Sequence, residues 1–152
     1  MKRIAYFISP HGFGHAARAA SVMEAIHAID PSIGFEIYAA TPSWFFHDNL
    51  DGFLNYHYLR TDLGLVQKTP FEEDLDETIA QLNQLLPYET TQIAPVSHEI
   101  SDLNCKLAVC DVAPMGLLIA KDAGIPSVLI ENFTWDWIYE GYLDRDRQIG
   151  TH

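Results

Sequence analysis

Residues 4–18 read Ile-Ala-Tyr-Phe-Ile-Ser-Pro-His-Gly-Phe-Gly-His-Ala-Ala-Arg, and this stretch decides the fold. Residues 4–8 are continuously apolar, with aromatic and β-branched types, which is the pattern of a strand buried on both faces. Ser9, Pro10 and Gly12 break that run. From Gly14 onward Ala16, Ala19, Ala20, Met23 and Ile26 recur at helical spacing until Asp30-Pro31 stops them, which predicts a helix over 14–29. A second apolar run, 35–40, follows. Strand, glycine-rich turn, helix and strand make a β-α-β unit, whose two strands should be parallel and joined by a right-handed crossover.

Working outward, the same alternation continues. Thr41-Pro42 offers a cap and a first-turn proline for a short helix to about residue 46, and the aromatic run 53–60 reads as a third strand. Residues 62–70 are expected to form a loop, and Leu75, Ile79, Leu82, Leu85 and Leu86 line one face of a helix over 74–86. Ile93, Val96, Ile100 and Leu103 continue helical spacing, with Pro95 expected to start or kink that helix. Strands at 107–110 and 127–130 flank a helix over 114–123, which Gly124 and Pro126 terminate. An aromatic helix over 134–142 and a mostly polar tail complete the chain. The fold class is α/β: one Rossmann-like open parallel sheet with helices on both faces, a single domain over 1–152.

The chain carries 9 Lys+Arg against 21 Asp+Glu, a net charge of -12, which disfavours nucleic acid or an anionic membrane as the main partner. The apolar N-terminal run is too short for a signal core or a membrane span, so no membrane span is expected. Cys105 and Cys110 have no ligand-spaced neighbours, which fits neither a zinc site nor a disulfide framework. Buried thiols in a reducing, cytoplasmic setting are expected.

Open α/β sheets bind ligands at the carboxyl ends of their strands, and the turn 9–15 is the first such end. Gly12 and Gly14 permit a tight turn and close approach, and the following helix presents unpaired N–H groups and a positive dipole end. Gly12, Gly14 and Ala17 formally satisfy the dinucleotide pattern. A nicotinamide oxidoreductase is nevertheless disfavoured, because Tyr38-Ala39-Ala40-Thr41 ends the second strand without an acid or arginine for the ribose. His15, at the helix start, should hold a neutral ring able to accept a proton. A base of this kind needs an orienting acceptor, and Asp111, ending another parallel strand, is the candidate. The plainer alternative is that His15 packs the helix start and Asp111 caps the helix at Pro114.

Four blocks occur in order: His11-Gly12-Phe13-Gly14-His15-Ala16-Ala17-Arg18, Asp62-Leu63-Gly64-Leu65-Val66-Gln67, Cys110-Asp111-Val112-Ala113-Pro114 with Ala123-Gly124-Ile125-Pro126, and Asn132-Phe133-Thr134-Trp135-Asp136-Trp137-Ile138-Tyr139. Together they resemble the N-terminal, acceptor-side half of GT-B glycosyltransferases, and more narrowly the glycosyltransferase-like region of arabinokinases and its stand-alone bacterial relatives. The resemblance implies that this half binds a hydroxyl-bearing acceptor, with His15 as general base and Asp111 as its orienter. A C-terminal domain not contained in the sequence would bring the nucleotide-sugar donor. No metal and no further cofactor is implied. His11, Gly12, Phe13, Gly14, Arg18, Gln67, Asn132 and Trp135 are the substrate-binding candidates, while Asp62 suits either a sugar hydroxyl or its own turn. The sequence ends at His152, about where a donor domain would begin, so the isolated chain is expected to be inactive. The rival from another class is a non-catalytic binding module that keeps the crevice.

Overall fold

The computed structural model describes residues 2–50 and 52–151. Five parallel strands form one sheet: β1 (Lys2–Ile8), β2 (Ile33–Ala39), β3 (Leu54–Tyr58) and, after a small two-stranded hairpin, the strands Cys105–Asp111 and Ser127–Ile130. Their order across the sheet runs β3, β2, β1, Cys105–Asp111, Ser127–Ile130, so β1 is central. The hairpin strands are β4 (Gln67–Thr69) and β5 (Glu72–Glu73), which makes the last two sheet strands β6 and β7.

Both faces of the central strand are buried, and its alternation sorts the helices. Ile4, Tyr6 and Ile8 pack against Ala16, Ala19 and Met23 of α1 (Phe13–Ile29) and Phe46 of α2 (Ser43–Asn49). Ala5 and Phe7 point the other way. They meet Ile93 and Ile100 of α4 (Thr90–Asp102) and Met115 and Ile119 of α5 (Pro114–Asp122). Each such large apolar side chain, fully removed from water, contributes roughly 1.5–3 kcal/mol. A third cluster joins Leu63, Ile79 and Leu82 of α3 (Leu75–Leu85) to Tyr139 of α6 (Trp135–Glu140) and Ile149 of a 3₁₀ turn, Arg147–Thr151.

Three local expectations are corrected, and for Pro95 one of two alternatives is decided. Residues 62–70 are not one loop, because their second half pairs with Glu72–Glu73 in the β4–β5 hairpin, closed by Asp74 N–H donating to the Val66 carbonyl at 2.7 Å. Pro95 does not start α4. Glu89 and Gln92 form a reciprocal capping box ahead of it, which places Pro95 inside the helix. Pro42 occupies the cap of α2 instead of its first turn, and the tail after α6 buries Ile149 where a polar segment was expected. Cys105 and Cys110 are free, buried thiols, and burial pushes them up to about 11 and about 12. Among the described residues, no helix is long and apolar enough to cross a membrane.

Candidate functional site

Register builds the site. Ile8 at the end of β1 pairs with Asp111 at the end of β6, so the glycine-rich turn leaves the sheet beside that carboxylate, and Ser9 N–H donates to the Asp111 carbonyl at 3.0 Å. Gly12 sits at φ 77°, ψ 169°, a region open essentially to glycine alone, and it caps α1. His15 therefore falls in the first turn of α1. Its Nδ1 lies 2.9 Å from Asp111 Oδ1, across 96 residues of chain.

A carboxylate can only accept, so Nδ1 carries a hydrogen, and in the neutral ring the lone pair then sits on Nε2. Asp111 is fully buried and His15 nearly so. Arg18, one turn further along α1, donates from Nε to Asp111 Oδ2 at 2.8 Å and from Nη2 to Oδ1. The guanidinium thus compensates the buried carboxylate, and its 3.3 Å approach to His15 Nδ1 brings two donors to one oxygen. Asp111 does not cap α5, whose cap is Ala113. Val112, immediately after Asp111, adopts φ 48°, a left-handed conformation that costs a β-branched residue about 1–2 kcal/mol. That turn ends β6 with the Asp111 side chain held against α1.

A second structure faces this triad. The segment 61–64 is buried, and hydroxyls hold its backbone: Thr61 Oγ1 donates to the Ile8 carbonyl, Tyr88 to the Thr61 carbonyl and Tyr139 to the Leu63 carbonyl. Asp62 Oδ1 accepts from Ser9 Oγ at 3.0 Å and Oδ2 from Trp135 Nε1 at 3.2 Å. Burial pushes the Asp62 carboxyl up to about 7, against the pull of those two hydrogen bonds. Gly64 is required by contact, since a Cβ there would lie 2.4 Å from His11 Nδ1 and 2.9 Å from the Trp135 ring. His11 meets Trp135 edge-on at 5.1 Å, and burial, then His15, lower its basicity. Phe133 stands 5.1 Å from Trp135 and 6.0 Å from His15.

Three clefts open around these residues. One, of about 670 Å³, lies between His11, Phe133, Trp135 and Trp137. Another, of about 320 Å³, holds His11, Tyr58, Arg60 and Gly64. The third, about 360 Å³ and mainly apolar, is walled by Leu82, Tyr88, Leu117 and Trp135. Asp62 borders the second and third.

Of the candidates read from sequence, His11, Gly12, His15, Arg18, Asp111 and Trp135 converge. Phe13 is half exposed and packs with Trp44 and Phe45, and Gly14 has open space where a Cβ would stand. Gln67 is exposed on β4, opposite Glu73, and borders none of the three clefts. Asn132 is exposed beside Phe133. The roles of Gly64 and Val112 escaped sequence reasoning. A lone glycine in a loop carries a weak signal, and a valine gives none for a left-handed turn.

No family model matches this chain. Its sequence is 29% identical over 147 residues to L-arabinokinase of Arabidopsis thaliana, covering 91% of this chain but only 13% of that protein. Apo UGT2 of Phytolacca americana superposes with a TM-score of 0.59 at 17% identity, over 100% of this chain and 34% of that one. A UGT transferase of Siraitia grosvenorii in complex with UDP gives 0.56 at 14% identity, over 95% and 32%. The fold is that of GT-B glycosyltransferases. The chain spans about a third of the length of those structures, and the five-stranded parallel sheet with helices on both faces is the shared part.

Proposed function

We propose that this chain is the acceptor-binding, N-terminal half of a nucleotide-sugar-dependent glycosyltransferase-like protein, with His15 as the general base and Asp111 as its orienter. The observation that carries the reading is the 2.9 Å contact between His15 Nδ1 and Asp111 Oδ1 at the carboxyl edge of the sheet. It fixes the tautomer that leaves Nε2 free to take a proton from an acceptor hydroxyl. A sugar or alcohol hydroxyl is a poor nucleophile at neutral pH, so positioned proton removal contributes about 10²- to 10⁴-fold. Support for the donor side comes from the neighbours, one of which, UGT2 of Phytolacca americana, is described in complex with UDP-2fluoro-glucose and pterostilbene. The aromatic cleft between Phe133, Trp135 and Trp137 would seat the acceptor, with His11 among the residues that line it.

Arg18 acts in this scheme through Asp111. With both carboxylate oxygens engaged, it holds the orienter in place and balances its charge. The same saturation favours a second reading, a binding module whose His15 is held but not used. The two separate on one experiment. With a donor-binding half present, transfer from a UDP-sugar to a hydroxyl acceptor should fall about 10²- to 10⁴-fold in His15→Ala, while calorimetry shows acceptor binding retained. Transfer that proceeds equally well in the variant removes the base role, and acceptor binding without transfer in the wild type leaves the module.

A further inference from the structure

We propose that Asp62 is the positioning residue of this crevice: its carboxyl group ties Ser9, at the root of the glycine-rich turn, to the Trp135 indole, and its protonation state sets how firmly the two are held. This applies whatever the crevice binds. Asp62 is 1% exposed and both its hydrogen-bond donors are neutral groups, one 53 residues away and one 73. Through Ser9 the clamp reaches both the turn and the end of β6, because Ser9 Oγ also accepts from His11 N–H at 3.4 Å and Ser9 N–H donates to the Asp111 carbonyl. Through Trp135 it reaches the aromatic wall, since that ring packs on His11 and on Phe133, which in turn lies against His15.

A carboxylate accepts from both donors at once. A neutral carboxyl group places a hydrogen on one oxygen, so either the Trp135 N–H loses its acceptor or the Ser9 hydroxyl must turn from donor to acceptor and find a new partner for its own hydrogen. The charges facing Asp62 leave both states within reach. Asp111, across Ser9, opposes ionisation and Arg60 favours it, although Arg60 is exposed and donates to Gln81. The Tyr88 and Tyr139 phenols donate to the carbonyls on either side of Asp62, those of Thr61 and Leu63, and burial and Asp62 itself keep them protonated. His11 lies beyond Gly64, and Glu131 and Asp136 border the apolar cavity beside Asp62. Burial raises the Asp62 carboxyl to about 7, so the clamp works in the neutral range.

The test is the ¹⁵N-correlated indole N–H resonance of Trp135, assigned with Trp135→Phe and followed from about pH 5 to about pH 9, on either side of an ordinary histidine midpoint. The resonance should move in one step near neutrality. Asp62→Asn should abolish the step. Ser9→Ala, which removes a donor to the charged form, should shift its midpoint to higher pH, an effect that a purely structural Asp62 would not produce. His11→Gln, which removes the neighbouring imidazole, should leave the step in place. A flat wild-type profile, a step that survives Asp62→Asn, or one that disappears in His11→Gln overturns the proposal. If Asp62→Asn does not fold, the Ser9→Ala shift and the His11→Gln control decide it.

Discussion

Asp62 and Asp111 stand at the same edge of one sheet, both buried and both bonded to Ser9, one through its side chain and the other through its carbonyl. Their surroundings differ. Asp111 faces a guanidinium and an imidazole, whereas Asp62 faces a hydroxyl and an indole. The guanidinium compensates the charge of the first, whereas burial without a bonded cation leaves the second able to gain a proton near neutrality. One residue type thus underlies both proposed devices, the orienter and the clamp, and the difference lies wholly in which donors the fold delivers.

The largest expected effect sharpens the Asp62 side of that contrast. Its carboxyl is raised from 3.8 to about 7, so the stabilisation it gives is complete below about pH 4 and is lost as pH rises toward 7. Stability of the wild type relative to Asp62→Asn should therefore fall by up to about 4 kcal/mol between those limits. Urea denaturation of both proteins across the range measures it, and parallel curves would show that Asp62 is charged throughout. On the Asp111 side, Arg18→Met strips a buried carboxylate of its cation and should cost about 3 kcal/mol at neutral pH. Because the uncompensated carboxyl would then favour its protonated form, that deficit should shrink in acid. A loss well under about 1 kcal/mol would mean that His15 alone suffices for Asp111. The smallest effect breaks the join between the two devices. Gly64→Ala pushes a methyl group against His11 and Trp135 and should cost about 2 kcal/mol. Ligand binding in the cleft between His11 and Trp137 should weaken with it, which calorimetry on any bound acceptor would detect.

How much was legible follows from the kind of signal each residue carries. The run 4–8 reads as a strand buried on both faces, and the glycines after it mark a tight turn into a helix, so β1, α1 and their connection were readable. The pairing of His15 with Asp111 was also within reach, because a parallel sheet places all strand ends that precede helices at one edge. The engagement of Arg18 with that same carboxylate was not, since a residue one turn along a helix can face a ligand or a neighbour equally well. Gln67 shows the converse. As part of a loop it looked free to reach a substrate, but two residues of antiparallel pairing, invisible at that length, carry it onto an exposed hairpin. Ile149 was hidden by its polar neighbours.

By itself the sequence determined the alternation of strands and helices, the glycine-marked turn at the first strand end, and the two side chains that meet there. These are local or periodic properties, written in residue spacing and in the backbone freedom of a few glycines. Only the tertiary structure decided that Arg18 belongs to Asp111, that Val112 turns left-handed behind it, and that Asp62 meets Trp135 instead of a cation. Those outcomes depend on which donors arrive within about 3 Å of a buried oxygen, a distance set by packing between segments far apart in the chain.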